Sequence, residues 1–194
     1  MIKLEKFYTS VFVTDYTHYN EDRTHAPAQW KGVVISIERS GVLASFLLAN
    51  EVGVEFDAIN LEHNPALLKR VDGSLASQCE CIFKAIRHDN QRPWMLLLEM
   101  KYCQEKNIKR NISDALEQLK KSYLFLRDEK HLMGIRTVKP YFVISTPENS
   151  PWDVSDASFF DQNDLLKIKR EYDGAQLYYT NRIKVINTSL LKPF

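Results

Sequence analysis

The chain has 194 residues, of which 44% are hydrophobic and 26% are charged, and its formal net charge is +1. This length and composition predict one globular domain over residues 1–194, and they exclude a disordered or low-complexity chain. The longest uncharged apolar run, residues 42–49, is far shorter than the roughly 20 residues that a membrane crossing requires. The first ten residues do not resemble a signal peptide, so we expect a cytoplasmic protein that does not associate with membranes.

The charged residues are distributed unevenly along the chain. Residues 1–64 carry 5 basic and 9 acidic side chains, a net charge of −4, whereas residues 101–139 carry 10 basic and 5 acidic side chains, a net charge of +5. A local positive field can steer a polyanion even when the whole molecule is nearly neutral. An ordinary solvated helix face produces the same pattern, so both interpretations stay open.

Aromatic and β-branched residues near the N-terminus predict strands at residues 7–14 and 33–37, joined by a polar loop. The run VLASFLLANEVG, which is rich in helix formers and ends at Gly53, predicts a mostly buried helix near residues 41–51. Asn64 and Pro65 favour the start of a short helical turn, because asparagine caps helices and proline suits the first turn.

The rest of the chain predicts two hairpins, two helices and a strand. The hairpins are expected to pair residues 80–87 with 94–103 and residues 176–180 with 182–187. The helices are expected at residues 111–127 and 159–171, and the strand at 141–146. This mixed order of elements indicates an α/β or α+β protein in which helices cover a sheet.

The most informative short segment is Glu99-Met100-Lys101 at the end of an apolar run. Side chains alternate along a strand, so Glu99 and Lys101 are expected on the same face, about 7 Å apart along the chain. Burying charged groups costs free energy unless they are paired, hydrogen-bonded or bound to a metal. The placement of Glu99 and Lys101 on an apolar strand therefore suggests a functional site.

Glu80 begins the first strand of the same predicted hairpin, where it can come beside Glu99. The two carboxylates and the Lys101 amine would then form one cluster. Hard oxygen ligands of this kind hold Mg²⁺, and a neighbouring lysine can orient or deprotonate a water. Such a set is suited to hydrolysis of a phosphodiester bond.

The order of Glu80, Glu99-x-Lys101, a helix containing Gln118 and the strand KPYFVIST resembles the PD-(D/E)xK nuclease superfamily over about residues 79–146. The resemblance implies a restriction-endonuclease-like αβββαβ core, a mixed sheet flanked by helices, at about residues 41–146, with N- and C-terminal extensions. It implies Glu80 and Glu99 as ligands of Mg²⁺ or Mn²⁺ and Lys101 as the catalytic lysine. The resemblance further implies that Gln118 lies near the site and that DNA is the partner. A homodimer is also consistent with it.

The chain departs from the family pattern at the first acidic position, which is usually an aspartate after a proline. Asp72 is a possible substitute there, and Glu51 or Glu55 could supply the helix glutamate that some branches use. Glu99 and Lys101 could instead form an exposed pair that protects a sheet edge. A nuclease fold without an active site, serving as a protein- or nucleic-acid-binding module, is the alternative function.

Other side chains give weaker signals. Cys79, Cys81, Cys103 and His88 lack the paired spacing of a zinc site and are better explained as packed thiols. Phosphate contacts or stacking on a base are conceivable for a set of basic and aromatic residues, namely Lys106, Lys109, Arg110, Lys120, Lys121, Tyr102 and Trp94. Lysines on a helix opposite an apolar stripe more often form a solvated face.

Overall fold

A computed structural model describes residues 10–15, 32–37, 45–86, 92–101, 107–129, 137–146 and 159–194. The chain is a mixed α/β protein, as expected, and in this part of it two mixed sheets accompany two α-helices. The elements are β1 (Ser10–Asp15), β2 (Val33–Ser36), β3 (Ser45–Ala49), β4 (Phe56–Asn60), β5 (Cys81–Ala85), β6 (Trp94–Met100), α1 (Ile108–Leu124), β7 (Lys139–Ser145), α2 (Gln162–Glu171), β8 (Gln176–Tyr179), β9 (Arg182–Asn187) and β10 (Leu190–Pro193). Neither described helix has the length and apolar character needed to cross a membrane.

The first sheet, called the central sheet, contains β4 to β8 in chain order. Strands β4, β5 and β6 are antiparallel neighbours, whereas β6, β7 and β8 run parallel to one another. Helix α1 makes the crossover between β6 and β7, which a parallel pair requires. The predicted hairpin of β5 with β6, the helix α1 and the strand β7 are confirmed.

The second sheet, called the outer sheet, has the strand order β10-β9-β3-β1-β2. Its strands β1 and β2 confirm the two predicted N-terminal strands, within residues 10–15 and 33–36. Strand β3 runs antiparallel to β1 and parallel to β9.

The central sheet is buried on both faces, which makes a three-layer arrangement. One apolar core lies between the two sheets and includes Val13 of β1, Leu48 of β3 and Leu98 of β6. The other core lies between the central sheet and the helices and includes Leu97 of β6 and Leu119 of α1. Adjacent residues of β6 therefore enter different cores, as the two-residue period of a strand requires.

The predicted helix at 41–51 is wrong where the structure describes it, because residues 45–49 form strand β3. Phe46 and Leu48 are buried between the sheets, and Ser45 and Leu47 on the opposite face are half-buried. A short apolar run does not by itself distinguish a buried strand from a buried helix. Pairing with β1 and β9 satisfies the backbone of this segment and outweighs its helix propensity.

The predicted C-terminal hairpin is also wrong in its pairing. Strands form at both expected places, but β8 pairs with β7 in the central sheet, whereas β9 pairs with β3 and β10 in the outer sheet. The chain crosses from one sheet to the other at Thr180 and Asn181. The shorter predicted helices are confirmed: α2 covers Gln162–Glu171, and a 3-10 turn covers Pro65–Leu68 with the proline in its first turn.

Candidate acidic site at the end of the central sheet

Glu80, Glu99 and Lys101, called the acidic site, lie at one end of the central sheet. Glu99 is the penultimate residue of β6, Lys101 follows that strand, and Glu80 immediately precedes β5. The backbone N–H of Glu80 donates to the Leu98 carbonyl at 3.0 Å, and the Glu80 carbonyl accepts from Leu61 N–H at 2.9 Å. These bonds fix the Glu80 backbone between the ends of β4 and β6.

The Glu80 side chain is fixed as well. Its Oε2 accepts a hydrogen bond from the backbone N–H of Met100 at 2.9 Å. The carboxylate therefore lies beside the peptide that follows Glu99, and the structure brings together the two acidic residues that the sequence suggested.

Glu99 is 1% exposed, and its two carboxylate oxygens have different surroundings. Oε1 lies 2.5 Å from Lys101 Nζ, in an ion pair whose lysine side chain is 24% exposed. Oε2 is buried and has no hydrogen-bond partner among the residues that the structure describes. A buried carboxylate oxygen without a partner is costly, so this atom requires a functional or structural explanation.

Burial and like charges favour the protonated forms of both glutamates. Burial, followed by the charges of Glu99 and Asp15, raises the pKa of Glu80 well above its usual range. Burial raises the pKa of Glu99 to about 7, although the Lys101 amine opposes that shift. The pair therefore retains protons at pH values where exposed carboxyl groups have lost theirs.

Asp15, the last residue of β1, is a third acidic group that sequence reasoning missed. It is 6% exposed, and its charge raises the pKa of both Glu80 and Glu99. Asp15 precedes Glu80 by 65 positions and belongs to the other sheet. No local motif marks it, because its relation to the site depends on how the two sheets pack.

Gln118 lies on α1 and contacts the segment that leads into Glu80. Its Nε2 donates to the Gln78 carbonyl at 3.4 Å. One turn later, Ser122 Oγ accepts from Cys79 N–H at 2.7 Å and donates to the Ser77 carbonyl at 3.3 Å. Helix α1 therefore positions residues 77–79, and the described contact of Gln118 is with that backbone.

The alternative acidic residues lie elsewhere. Asp72 is in an exposed turn, where its carboxylate accepts from Ser74 N–H at 2.9 Å. Glu51 forms an exposed ion pair with Lys184 at 2.8 Å. Glu55 precedes β4, whereas Glu80 borders the other end of that strand, about 20 Å away at 3.3 Å per residue. None of these three belongs to the acidic site.

The described cysteines are packed thiols. Cys79 and Cys81 are both fully buried, and they enter the two different cores. Burial raises the pKa of both thiols, which disfavours the thiolate that metal binding or nucleophilic attack requires. Cys103 and His88, the other members of the zinc hypothesis, lie outside the described residues.

The predicted nucleic-acid contacts have mixed outcomes. Trp94 cannot stack on a base, because it is fully buried and its Nε1 donates to the Asn187 carbonyl at 3.1 Å. Lys120 forms an ion pair with Glu117 at 2.8 Å. The exposed basic residues of α1 are Lys109, Arg110 and Lys121. Tyr102 and Lys106 lie outside the described residues.

The donors of the acidic site suit a hard cation, which binds carboxylate oxygens. Glu99 Oε2 is a buried oxygen that a cation would satisfy, and the Glu80 and Glu99 charges interact. Within the described ranges, no group of three or more His, Cys, Asp or Glu side chains is arranged to hold a metal ion. The residues fit Mg²⁺ held by one or two carboxylates with retained waters, and they do not fit a cage of protein ligands.

No family model matches the chain, and no curated protein or solved structure is detectably similar to it.

Proposed function

We propose that the protein is a metal-dependent nuclease that hydrolyses phosphodiester bonds in DNA. The observation that carries this proposal is the buried Oε2 of Glu99, which has no hydrogen-bond partner among the described residues, in a carboxyl group whose charge acts on Glu80 and which is ion-paired with Lys101. Hydrophobic burial alone gives no reason to keep two acidic groups and an amine together at this depth. A cation-dependent hydrolytic site gives such a reason.

The fold supports the proposal in part. Strands β4, β5 and β6, helix α1 and strand β7 follow one another as three strands, a helix and a strand. This is the order that the restriction-endonuclease-like αβββαβ core has after its first helix. Glu80, Glu99 and Lys101 lie at strand ends within that succession. A fold does not by itself specify a function, so these residues support the proposal more strongly than the order of elements does.

Each residue of the acidic site has a defined task in the proposed reaction. Glu80 and Glu99 would hold Mg²⁺ or Mn²⁺, which when bound supplies charge stabilisation for the phosphodiester and favours an attacking hydroxide. Lys101 holds its ammonium group beside Glu99, where it orients the attacking water. Gln118 helps to fix the chain before Glu80. Lys109 and Arg110, exposed in the first turn of α1, are suited to contact phosphates.

Two observations favour the alternative, a binding module without catalysis. The Glu99 and Lys101 charges already compensate each other, and the described residues contain no complete metal cage. A module of this kind would bind protein or nucleic acid through its surface and would not require a divalent cation.

The test is cleavage of supercoiled plasmid and linear DNA in Mg²⁺ or Mn²⁺, with EDTA as the blank. We expect cleavage by the native chain and a loss of at least about 100-fold in Glu80→Gln, Glu99→Gln and Lys101→Met, because each removes a group that acts on the reacting atoms. Glu51→Gln is the matched control, since Glu51 forms an exposed ion pair outside the acidic site. Absence of cleavage, or equal cleavage by Glu99→Gln and the native chain, would reject the proposal.

A further inference from the structure

We propose that the turn at residues 69–75, called the exposed turn, docks the DNA substrate. Val71 contacts the bases, and Lys69 and Arg70 contact phosphates of the DNA backbone. This inference rests on the proposed function, because it assigns a substrate-docking element to the same site.

The exposed turn and the residues just before it present apolar side chains to solvent. Val71 is 108% exposed, and Leu75 and Leu67 are 57% and 43% exposed. Single apolar residues scattered over a surface need no explanation, whereas a group of them marks an interaction surface. Three exposed aliphatic side chains within residues 67–75 form such a group, so we expect this segment to contact a partner.

Hydrogen bonds within the exposed turn fix its conformation. Lys69 and Leu75 form an antiparallel bridge across its base. Arg70 N–H donates to the Ser74 carbonyl at 2.8 Å. The Asp72 carboxylate accepts from the Ser74 N–H at 2.9 Å and from the Ser74 hydroxyl at 2.7 Å. The apolar side chain at the tip is therefore presented on an ordered backbone, which reduces the entropy lost on binding.

The loop that carries the exposed turn begins and ends at the acidic site. Residues 61–80 connect β4 to β5, and Leu61 N–H donates to the Glu80 carbonyl at 2.9 Å, which joins the two ends of the loop. Helix α1 holds residues 77–79 of the returning arm. Leu75 is five residues from Glu80, so the two lie within about 18 Å of each other. This distance spans about five base pairs of duplex DNA, so one DNA molecule can reach both.

The charges of the exposed turn favour DNA as the partner. Lys69 and Arg70 directly precede Val71, and both are exposed. Together with Asp72, whose carboxylate accepts from Ser74 within the turn, they give residues 69–75 a net charge of +1. Lysine and arginine contact phosphates, and exposed apolar side chains contact base edges or insert between base steps. DNA offers both surfaces side by side, and the position of the turn on the loop of the acidic site favours it over a membrane or a protein.

The experiment measures binding of a fluorescein-labelled DNA duplex by anisotropy, in EDTA and in CaCl₂, at several NaCl concentrations. The variants are Val71→Ser, Val71→Leu, Lys69→Gln and Arg70→Gln, all at exposed positions where the substitution removes no core packing. Val52→Ser and Lys192→Gln are the matched controls, because both residues are exposed and lie outside residues 61–80.

We expect Val71→Ser to lose about 10-fold in affinity, the equivalent of burying one valine side chain, with an unchanged salt dependence. Val71→Leu should retain the native affinity. Lys69→Gln and Arg70→Gln should each reduce the slope of log K against log [NaCl] by about 1, because each removes one phosphate contact. The two control variants should bind as the native chain does.

The outcomes separate this inference from the proposed function, which the plasmid cleavage assay tests independently. Native affinity in Val71→Ser, or a native salt slope in both Lys69→Gln and Arg70→Gln, would overturn the docking role and leave the nuclease intact. The expected binding losses in a chain that cleaves no DNA would support the docking role and reject the nuclease. Failure of the native chain to bind the duplex in either buffer would overturn the docking role. Native binding to vesicles of anionic phospholipid that Val71→Ser loses, with unchanged DNA binding, would assign the exposed turn to a membrane surface and would also overturn it.

Discussion

The Glu80 carboxylate accepts a hydrogen bond from the backbone N–H of Met100, with 2.9 Å between Oε2 and the nitrogen. Within a sheet, a strand N–H normally donates to a carbonyl of the neighbouring strand. Here a side chain takes that role where the β5–β6 ladder ends, which holds the Glu80 carboxyl group beside Glu99. The consequences can be measured in stability, in pH dependence and in catalysis.

The stability of the protein is predicted to fall as pH rises from about 5 to 7. Burial raises the pKa of Glu99 to about 7, so the folded chain binds more protons than the unfolded chain in this window. The stabilising contribution of protonated Glu99 is complete below the unfolded pKa and is lost as pH rises through the folded value. A pKa shift of this size corresponds to a change of roughly 3 kcal/mol in the unfolding free energy. Urea denaturation in EDTA at several pH values measures it.

Glu99→Gln, whose side chain does not titrate, is expected to flatten that dependence, whereas Glu51→Gln should keep it. The assignment of the raised pKa to Glu99 would be contradicted if the unfolding free energy of the native chain rose between pH 5 and 7. It would also be contradicted if the unfolding free energy of Glu99→Gln changed with pH as steeply as that of the native chain.

Replacement of Lys101 by methionine is predicted to destabilise the protein more at pH 8 than at pH 5. The variant leaves Glu99 buried without its ion-pair partner, and removal of one member of a buried pair costs about 3–5 kcal/mol when the other stays charged. At pH 5 Glu99 can be protonated, so the cost is smaller. Unfolding free energies at the two pH values give the comparison.

Lys184→Met provides the control, because Lys184 forms an exposed pair with Glu51. Such pairs contribute about 0–1 kcal/mol, so we expect little change at either pH. Equal destabilisation by Lys101→Met at both pH values would indicate that packing of the lysine stem, and not its charge, is what matters.

Ser122→Ala is predicted to cost about 1–3 kcal/mol in unfolding free energy, because it leaves the buried Cys79 N–H without its acceptor. The same change should reduce cleavage, since residues 77–79 lead into Glu80. Ser113→Ala tests an exposed serine of the same helix and should be close to neutral. Urea denaturation distinguishes the two variants, and equal stability would mean that this contact does not support the site.

Gly32→Ala is predicted to destabilise the protein more than Gly73→Ala. Both glycines have positive φ, 71° and 86°, so each substitution introduces backbone strain. A Cβ at Gly32 would also lie 2.5 Å from Glu62 Oε2, the acceptor of Val33 N–H, whereas the nearest atom to a Cβ at Gly73 is 3.8 Å away. We expect an additional cost of about 1 kcal/mol at Gly32. Thermal denaturation of the two variants checks the order.

The sequence predicted well those parts of the fold that depend on residues close together in the chain. Strand β6 and helix α1 have long, unambiguous periodicity, and a turn-rich segment separates β5 from β6. Antiparallel pairing along that hairpin is enough to bring Glu80 near Glu99, so the core of the candidate site could be inferred from residues close in sequence.

The errors concern contacts between sheets. Strand β3 consists of residues that suit a helix equally well, and only its two neighbours in the outer sheet decide its conformation. The turn at Asn181 is compatible with a hairpin, but β8 and β9 belong to different sheets. Asp15 was missed for the same reason, because it belongs to a different sheet from Glu80 and Glu99, and the packing of two sheets leaves no periodic signal in the sequence.

The most direct measurement is an anomalous difference map from a crystal of the protein soaked in Mn²⁺. We predict a peak within coordination distance, about 2.0–2.3 Å, of Glu99 Oε2 and a Glu80 carboxylate oxygen, and its loss in Glu99→Gln. A well-ordered site with the Glu99–Lys101 pair intact and no peak at millimolar Mn²⁺ would contradict the cation-dependent nuclease.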